Sequence, residues 1–128
     1  MLKFKSVYEP IAERDGLRIL ATRFRGRGMK TDRYDVWMPN LGPSERLLRS
    51  VLDGKISWKE FTKKFKDEVL FSGDIDKNNK TILNHGQKFS FRLIKELSSK
   101  QNVTLMCHCE TGEKECHLRV LEKLIGSI

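Results

Sequence analysis

The spacing of apolar residues along the chain predicts three strands. Residues 2–8 alternate weakly between apolar and polar side chains, which is typical of a strand at the edge of a sheet. Residues 17–23 carry Leu17, Ile19 and Ala21 on one face and indicate a second strand. Val103–Cys107 is mostly apolar and β-prone, so it predicts a third, buried strand.

Apolar residues that recur at steps of three and four predict four helices. Their expected extents are about 44–53, from 57 onward, 81–100 and about 116–125. Ser44 and Ser57 have the side chains and the positions of N-caps for the first two. In the third helix, the residues expected to face the core are Phe89, Leu93, Ile94 and Leu97.

This order of strands and helices is typical of an α/β domain. A length of 128 residues predicts that residues 1–128 form a single compact domain, with a small, mostly parallel sheet flanked by helices. Helical crossovers make the strands parallel, and parallel strands end at one edge of the sheet, where sites of open α/β sheets lie. We therefore expect the residues after 17–23 and after Val103–Cys107 to meet at that edge.

The formal charge of the chain, +8, comes from its first half. Residues 1–66 hold 16 basic and 8 acidic side chains, whereas residues 67–128 hold 9 of each. Residues 23–33, here named the basic loop, hold five basic side chains against one acid, with Gly26 and Gly28 interrupting regular structure. Such a cluster indicates an anionic partner, either nucleic acid or a phosphate-bearing small molecule, or else a basic surface that aids solubility.

The candidate phosphate ligands of the basic loop are Arg23, Arg25, Arg27 and Lys30. Guanidinium groups bind phosphate through two parallel hydrogen bonds, and glycine lets a backbone approach a ligand closely. The spacing matches neither a Walker loop nor a dinucleotide fingerprint. For Arg23, pairing with an acid of the fold such as Asp35 or Glu110 is an equal alternative. Trp37 also has two interpretations, packing on the core or stacking on a base.

Three cysteines fall within ten residues, at Cys107, Cys109 and Cys116. Their odd number cannot form a closed disulfide framework. Residues 1–5 lack the apolar core of a signal peptide. No stretch approaches about 18 uncharged apolar residues, so neither a membrane span nor a membrane partner is expected. These observations predict a protein of the reducing cytoplasm.

The cysteine-rich segment also suggests a metal site. Cys107, Cys109, Cys116 and His117 could together supply a Cys3His set of zinc ligands. Their spacing, C-x-C-x6-C-H, lacks the two C-x2-C units that mark zinc ribbons. Zinc is therefore one expectation, and a protein without a cofactor is the other.

Cys116 is a candidate catalytic nucleophile as well. It lies at the expected start of the last helix, where the helix dipole lowers the pKa of a thiol. His117 is its candidate base, and His108 is a second one. A phosphatase-type loop is excluded, because a glutamate holds the position of its arginine after both earlier cysteines. The alternative for Cys116 is a half-buried thiol without a chemical role.

Several segments resemble a known family in their order and spacing. They are Leu17-Arg18-Ile19-Leu20, Thr22-Arg23-Phe24-Arg25-Gly26-Arg27-Gly28, Asp35-Val36-Trp37, Leu41-Gly42-Pro43-Ser44 and the pair Cys116-His117. From about residue 3 to about residue 125, the chain resembles the small proteins of domain of unknown function 488, in particular the YeaO-like branch. The resemblance implies a compact α/β fold and no particular activity.

Three functions follow as alternatives. The first is a cytoplasmic protein that binds a phosphate-bearing ligand, nucleic acid included, through the basic loop beside the Cys/His segment. The second is an enzyme in which Cys116 attacks a small anionic substrate. The third is a zinc-binding structural or interaction module. The concentrated charge favours the first.

Overall fold

The computed structural model describes residues 1–71, 86–109 and 115–127. Its sheet contains β1 (Leu2–Ser6), β2 (Leu17–Leu20), β3 (Val36–Trp37) and β4 (Val103–Cys107), in the spatial order β1–β4–β2–β3. All neighbouring strands are parallel. The predicted α/β architecture is therefore confirmed, and β4 is buried along its whole length, as its apolar sequence predicts.

The described residues contain α1 (Glu45–Leu52), α2 (Trp58–Leu70), α3 (Lys88–Lys100) and α4 (His117–Gly126). Serine caps begin the first two, as expected. The Ser44 hydroxyl accepts a hydrogen bond from the Leu47 N–H, and the Ser57 hydroxyl accepts one from the Glu60 N–H, both over 3.2 Å. Residues 81–85 of the third predicted helix lie outside the described residues. Within the described part of the chain, no helix combines the length and apolarity that crossing a membrane requires.

The main core forms between one face of the sheet and the four helices. Phe61, Phe65 and Val69 of α2 are almost completely buried, as their spacing predicts. They pack with Ile19 of β2 and Leu105 of β4, and with apolar residues of the other helices. Burial of these large side chains supplies most of the driving force for folding.

A smaller apolar cluster lies on the opposite face of the sheet. Leu20 and Met106 alternate along their strands with residues of the main core, and they join Val7 there. Met29 and Tyr34, from and just after the basic loop, pack against this cluster. The basic loop is therefore fixed to the sheet by apolar contacts.

The buried face of α3 differs from the prediction. Phe91 and Ile94 are buried, whereas Phe89 and Leu93 are 77% and 57% exposed. The expectation that Phe89 and Leu93 face the core was wrong because two apolar stripes overlap on this helix. One runs through Phe91, Ile94 and the half-buried Leu97 in steps of three, and it is this stripe that packs.

The second strand is shorter than predicted, and a further strand accompanies it. β2 ends at Leu20, although the Ala21 N–H still donates to the Met106 carbonyl over 2.9 Å. β3, which periodicity does not predict because it has only two residues, pairs with β2 through Val36 and Trp37. The chain after Ala21 is thereby free to leave the sheet as the basic loop.

The carboxyl ends of three strands lie side by side. Ser6 of β1 is level with Cys107 of β4, and Leu20 of β2 is level with Met106 of β4. The basic loop leaves this edge after β2, and the cysteine-rich segment leaves it after β4. The convergence expected from parallel strands is therefore present.

Candidate functional site

The basic loop packs against His108, the residue that follows β4. The His108 Nε2–H donates to the Phe24 carbonyl over 2.9 Å, and the Thr22 hydroxyl donates to the same carbonyl over 2.6 Å. Gly26 has a φ of +94°, and a Cβ there would come within 2.9 Å of the His108 Cε1. Glycine is thus required by both the backbone conformation and the close approach. The predicted meeting of the two segments is confirmed.

Arg23 points inward from the start of the basic loop. Its Nε donates to the Pro43 carbonyl over 3.1 Å, its Nη1 to the Asn40 Oδ1 over 3.0 Å and its Nη2 to the Gly42 carbonyl over 3.3 Å. Burial lowers the pKa of Arg23. The structure therefore shows this guanidinium in internal hydrogen bonds, where it holds the segment that leads into α1.

Of the two acids considered as partners of Arg23, Asp35 binds Arg18 instead. The backbone N–H and the guanidinium of Arg18 donate to the Asp35 carboxylate over 2.9 and 3.2 Å. These hydrogen bonds lower the pKa of Asp35. Glu110 lies outside the described residues. The Arg18–Asp35 pair joins β2 to the residue before β3.

Arg25, Arg27 and Lys30 are exposed on the basic loop. Within the part of the chain that the structure describes, their side chains have no hydrogen bond and no ion pair. The four predicted phosphate ligands therefore divide into one internal cation, Arg23, and three outward cations. We refer to Arg25, Arg27 and Lys30 as the loop cations.

Cys107, Cys109 and Cys116 form a cluster of three free thiols. Their Sγ atoms all lie within 4.8 Å of one another, and those of Cys107 and Cys116 are 3.3 Å apart. Sulfurs around a tetrahedral zinc ion lie roughly 3.8 Å apart, because the Zn–S distance is about 2.3 Å. The cluster therefore fits a soft metal ion, and three protein ligands leave a fourth position for another ligand.

His117 does not belong to this three-sulfur group. Its Nε2–H donates to the Ala21 carbonyl at the end of β2, over 2.5 Å. Burial lowers the pKa of His117, which favours the neutral ring. The structure thus brings together three of the four predicted metal ligands and bonds the fourth to the sheet.

Cys116 is the N-cap residue of α4. The neighbouring thiols of Cys107 and Cys109 stabilise its charged form, and Arg119 adds to the effect. Together they hold the pKa of Cys116 well below its usual range in spite of burial. The pKa of Cys107 is raised, because its hydrogen bonds to the neighbouring sulfurs and its burial favour the thiol. The geometry therefore favours a Cys116 thiolate held by neighbouring thiols.

Three aromatic side chains are exposed at the same edge of the sheet. Tyr8 follows β1, Phe24 follows β2 and Trp37 ends β3, with 63%, 48% and 40% of their surfaces exposed. Trp37 lies outside both core clusters, and its Nε1–H donates to the Thr22 carbonyl over 2.8 Å. The sequence pattern points only to Trp37. Tyr8 ends the first predicted strand and Phe24 follows the second, and these positions are the signal that would have identified them.

A family model matches the chain over residues 2–127; it is DUF488-N3a, described as the active DUF488-N3 subclade. The chain belongs to the DUF488 family. The resemblance seen in the sequence is thereby confirmed for the family, and the YeaO-like branch stays a prediction. No curated protein and no solved structure matches this DUF488 chain.

The site of this DUF488 protein has two parts that meet at His108. On one side, the loop cations present charge to solvent on a loop that Arg23 and Gly26 hold in place. On the other, the three cysteines lie at the end of β4 and the start of α4. The first part is suited to an anion, and the second to a soft metal ion or to thiolate chemistry.

Proposed function

We propose that this DUF488 protein binds a phosphate-bearing ligand at the carboxyl edge of its sheet. The loop cations carry this proposal: Arg25, Arg27 and Lys30 are exposed and, among the described residues, have no partner of their own. Cations on a fixed loop lose less conformational freedom on binding than cations on a mobile one. Two guanidinium groups and one ammonium are suited to two or three phosphate groups.

The surroundings of the loop cations support the same ligand. Gly26 and Gly28 separate them and leave the backbone accessible between them. Arg23 is a positioning residue, because its three hydrogen bonds hold the base of the loop and leave the outward cations to the ligand. His108 helps to fix the loop by donating a hydrogen bond to the Phe24 carbonyl.

Equilibrium binding of inorganic polyphosphate tests the proposal. The loop variant combines Arg25→Ala, Arg27→Ala and Lys30→Ala. The control variant removes the same charge from exposed positions of α2 and combines Lys59→Ala, Lys63→Ala and Lys64→Ala. We expect the loop variant to lose at least about tenfold in affinity and the control less than about twofold. Equal losses, or no binding by the wild type, would overturn the proposal.

The second candidate function is an enzyme with Cys116 as its nucleophile. Its specific support is the contact of 3.3 Å between the sulfurs of Cys116 and Cys107 at the start of α4, where a thiolate is stabilised. His108 is the histidine with a free ring nitrogen: its Nε2 bonds to the Phe24 carbonyl, and its buried Nδ1 has no partner among the described residues.

Alkylation of the metal-free protein by iodoacetamide tests this candidate. We expect Cys116 to be modified first at neutral pH, because it holds the thiolate, and Cys109 to follow. Mass spectrometry of the digested protein assigns the modified residue. Preferential modification of Cys109, with Cys116 unreacted, would contradict a nucleophilic Cys116.

A zinc ion held by Cys107, Cys109 and Cys116 is the third candidate, and the convergence of the three sulfurs supports it. Bound zinc would supply a Lewis acid or a structural cross-link. Elemental analysis after purification without added metal is expected to find about one zinc per chain, lost in Cys109→Ser. His117→Gln is expected to keep the zinc, because its Nε2 is bonded to Ala21. A folded protein without metal would rule this candidate out.

A reducing compartment fits the cysteine cluster. The sulfurs of Cys107 and Cys116, only 3.3 Å apart, are free thiols. Thiols in such contact are readily oxidised outside the reducing interior of a cell. We therefore propose the cytoplasm as the location of this protein.

A further inference from the structure

We infer that the phosphate-bearing ligand is single-stranded nucleic acid, whose bases stack on Tyr8 and Phe24. This inference rests on the proposed function and adds to it the class of ligand. Phosphate binding needs cations only. Exposed aromatic rings beside those cations are a second feature, and a ligand made of phosphate alone leaves them without a partner.

Both residues contact His108, Tyr8 through its ring and Phe24 through its backbone. The Tyr8 ring centroid lies 6.1 Å from that of His108, and the Phe24 carbonyl accepts the hydrogen bond from the His108 Nε2. Tyr8 is 63% exposed and Phe24 48%. Unlike the exposed Phe89 of α3, both rings lie beside the loop that carries the cations, where a base of a bound strand can stack on them.

The strands that lead to the two rings are spaced to suit a chain of nucleotides. β1 and β2 lie on opposite sides of β4, so the ends of these strands are separated by about 10 Å, twice the strand spacing. Nucleotides of one strand follow one another at about 3.4 Å when stacked, so about three of them cover this distance. β3 lies beyond β2, and Trp37 at its end adds a third exposed ring at this edge of the sheet.

The loop cations follow Phe24 in the chain. Phe24 stands next to Arg25 in the chain, and Gly26 separates Arg25 from Arg27. A strand whose bases lie on the aromatic rings can thus place its phosphates on the loop cations. Single-stranded nucleic acid is favoured over a duplex, because paired bases keep their faces stacked inside the helix and cannot reach the rings.

Three ligands separate this inference from the proposed function: a single-stranded oligonucleotide, the duplex of the same sequence and inorganic polyphosphate. The ring variant combines Tyr8→Ala with Phe24→Ala. The matched control is Phe89→Ala, which removes an exposed aromatic ring from α3. Equilibrium affinities are measured for the wild type and both variants at one salt concentration.

The wild type is expected to bind the single strand at least about tenfold more tightly than the duplex. In the ring variant, the affinity for the single strand should fall by about tenfold or more, with polyphosphate binding unchanged. Phe89→Ala should match the wild type. Equal affinity for single strand and duplex, or no effect of the ring variant on the single strand, would overturn the inference. Polyphosphate binding that is lost in the loop variant would then still support the proposed function.

Discussion

Arg23 and Arg25 stand two residues apart on the basic loop and point in opposite directions. Arg23 binds oxygens of Asn40, Gly42 and Pro43, whereas Arg25 meets solvent. A guanidinium has five N–H donors in a planar fork, so the same side chain serves either to tie loops together or to bind an anion.

Alanine substitutions separate these two roles. We expect Arg23→Ala to lower the free energy of unfolding by about 1–3 kcal/mol, because three oxygens lose their donor. Arg25→Ala is expected to change it by less than about 0.5 kcal/mol and to weaken polyphosphate binding. Urea denaturation measures the free energy of unfolding of both variants. Similar stabilities for the two variants would argue against the internal role of Arg23.

The pairing of Asp15 with Lys5 makes the stability of the protein depend on pH. Burial alone would raise the pKa of this carboxyl, but the Lys5 ammonium, 2.8 Å away, and the Ala12 N–H outweigh burial and lower it. A carboxyl whose pKa is lowered by folding stabilises the protein above its ordinary pKa, near 4, and this stability is lost as the pH falls through the lowered value.

The substitution Asp15→Asn removes this contribution. At neutral pH we expect the variant to be less stable by roughly 1–3 kcal/mol, because Lys5 loses a charged partner. The difference from the wild type should shrink as the pH falls from about 4 through the lowered pKa of Asp15, below which the wild-type carboxyl is protonated too. Denaturant titrations at a series of pH values measure this difference in the free energy of unfolding. A difference that stays constant down to strongly acidic pH would contradict the role of the Lys5–Asp15 pair.

We expect Cys116 to be a thiolate at neutral pH in the metal-free protein. Since the neighbouring thiols lower its pKa, the charged form persists at pH values where an ordinary cysteine is protonated. The ultraviolet absorbance of thiolate should therefore be present at pH 7 in the wild type and in His117→Gln. It should be absent in Cys116→Ser. Absorbance that appears only in alkaline solution would show that Cys116 is an ordinary thiol.

The residue types of the site follow from the sequence, but the directions of their side chains do not. Cations, cysteines and histidines are visible as clusters. Whether Arg23 points in or out depends on where the carbonyls of Gly42 and Pro43 lie, and that is decided by packing between distant segments. In the same way, the bond from His117 to Ala21 joins residues far apart in the chain.

The basic loop depends on Gly26 for its position over His108. Gly26→Ala would place a Cβ within 2.9 Å of the imidazole at a φ of +94°. We expect it to cost about 1 kcal/mol or more and to weaken polyphosphate binding without removing any charge. Gly28→Ala is the control: its φ is also positive, +76°, but a Cβ there meets nothing within 4 Å. Equal effects of the two substitutions would show that contact with His108 is unimportant.

Helices and strands were predictable where one pattern dominates. The serine caps of α1 and α2 and the extent of β4 match the prediction, because each has a single local signal. On α3, stripes through Phe89 and Phe91 compete, and the sheet selects the second. β3 is too short to have a period, so it arises only from pairing with β2.

The arrangement of the whole fold could be predicted from the sequence because few topologies are compatible with parallel strands. Once two strands share a sheet and a crossover, their carboxyl ends meet at one edge. The basic loop, in the charged first half of the chain, thus meets the cysteines of the second half. The three exposed aromatic residues at this edge were not predicted together, since they lie at or after the ends of three separate strands.

The salt dependence of oligonucleotide binding tests the role of the loop cations most directly. For single strands, the logarithm of the affinity falls with the logarithm of the salt concentration, with a slope of about −0.7 per phosphate neutralised. If Arg25, Arg27 and Lys30 each neutralise one phosphate, the loop variant should have a slope shallower than the wild type by about 2. The α2 control should keep the wild-type slope. The same slope in wild type and loop variant would show that phosphate is bound elsewhere.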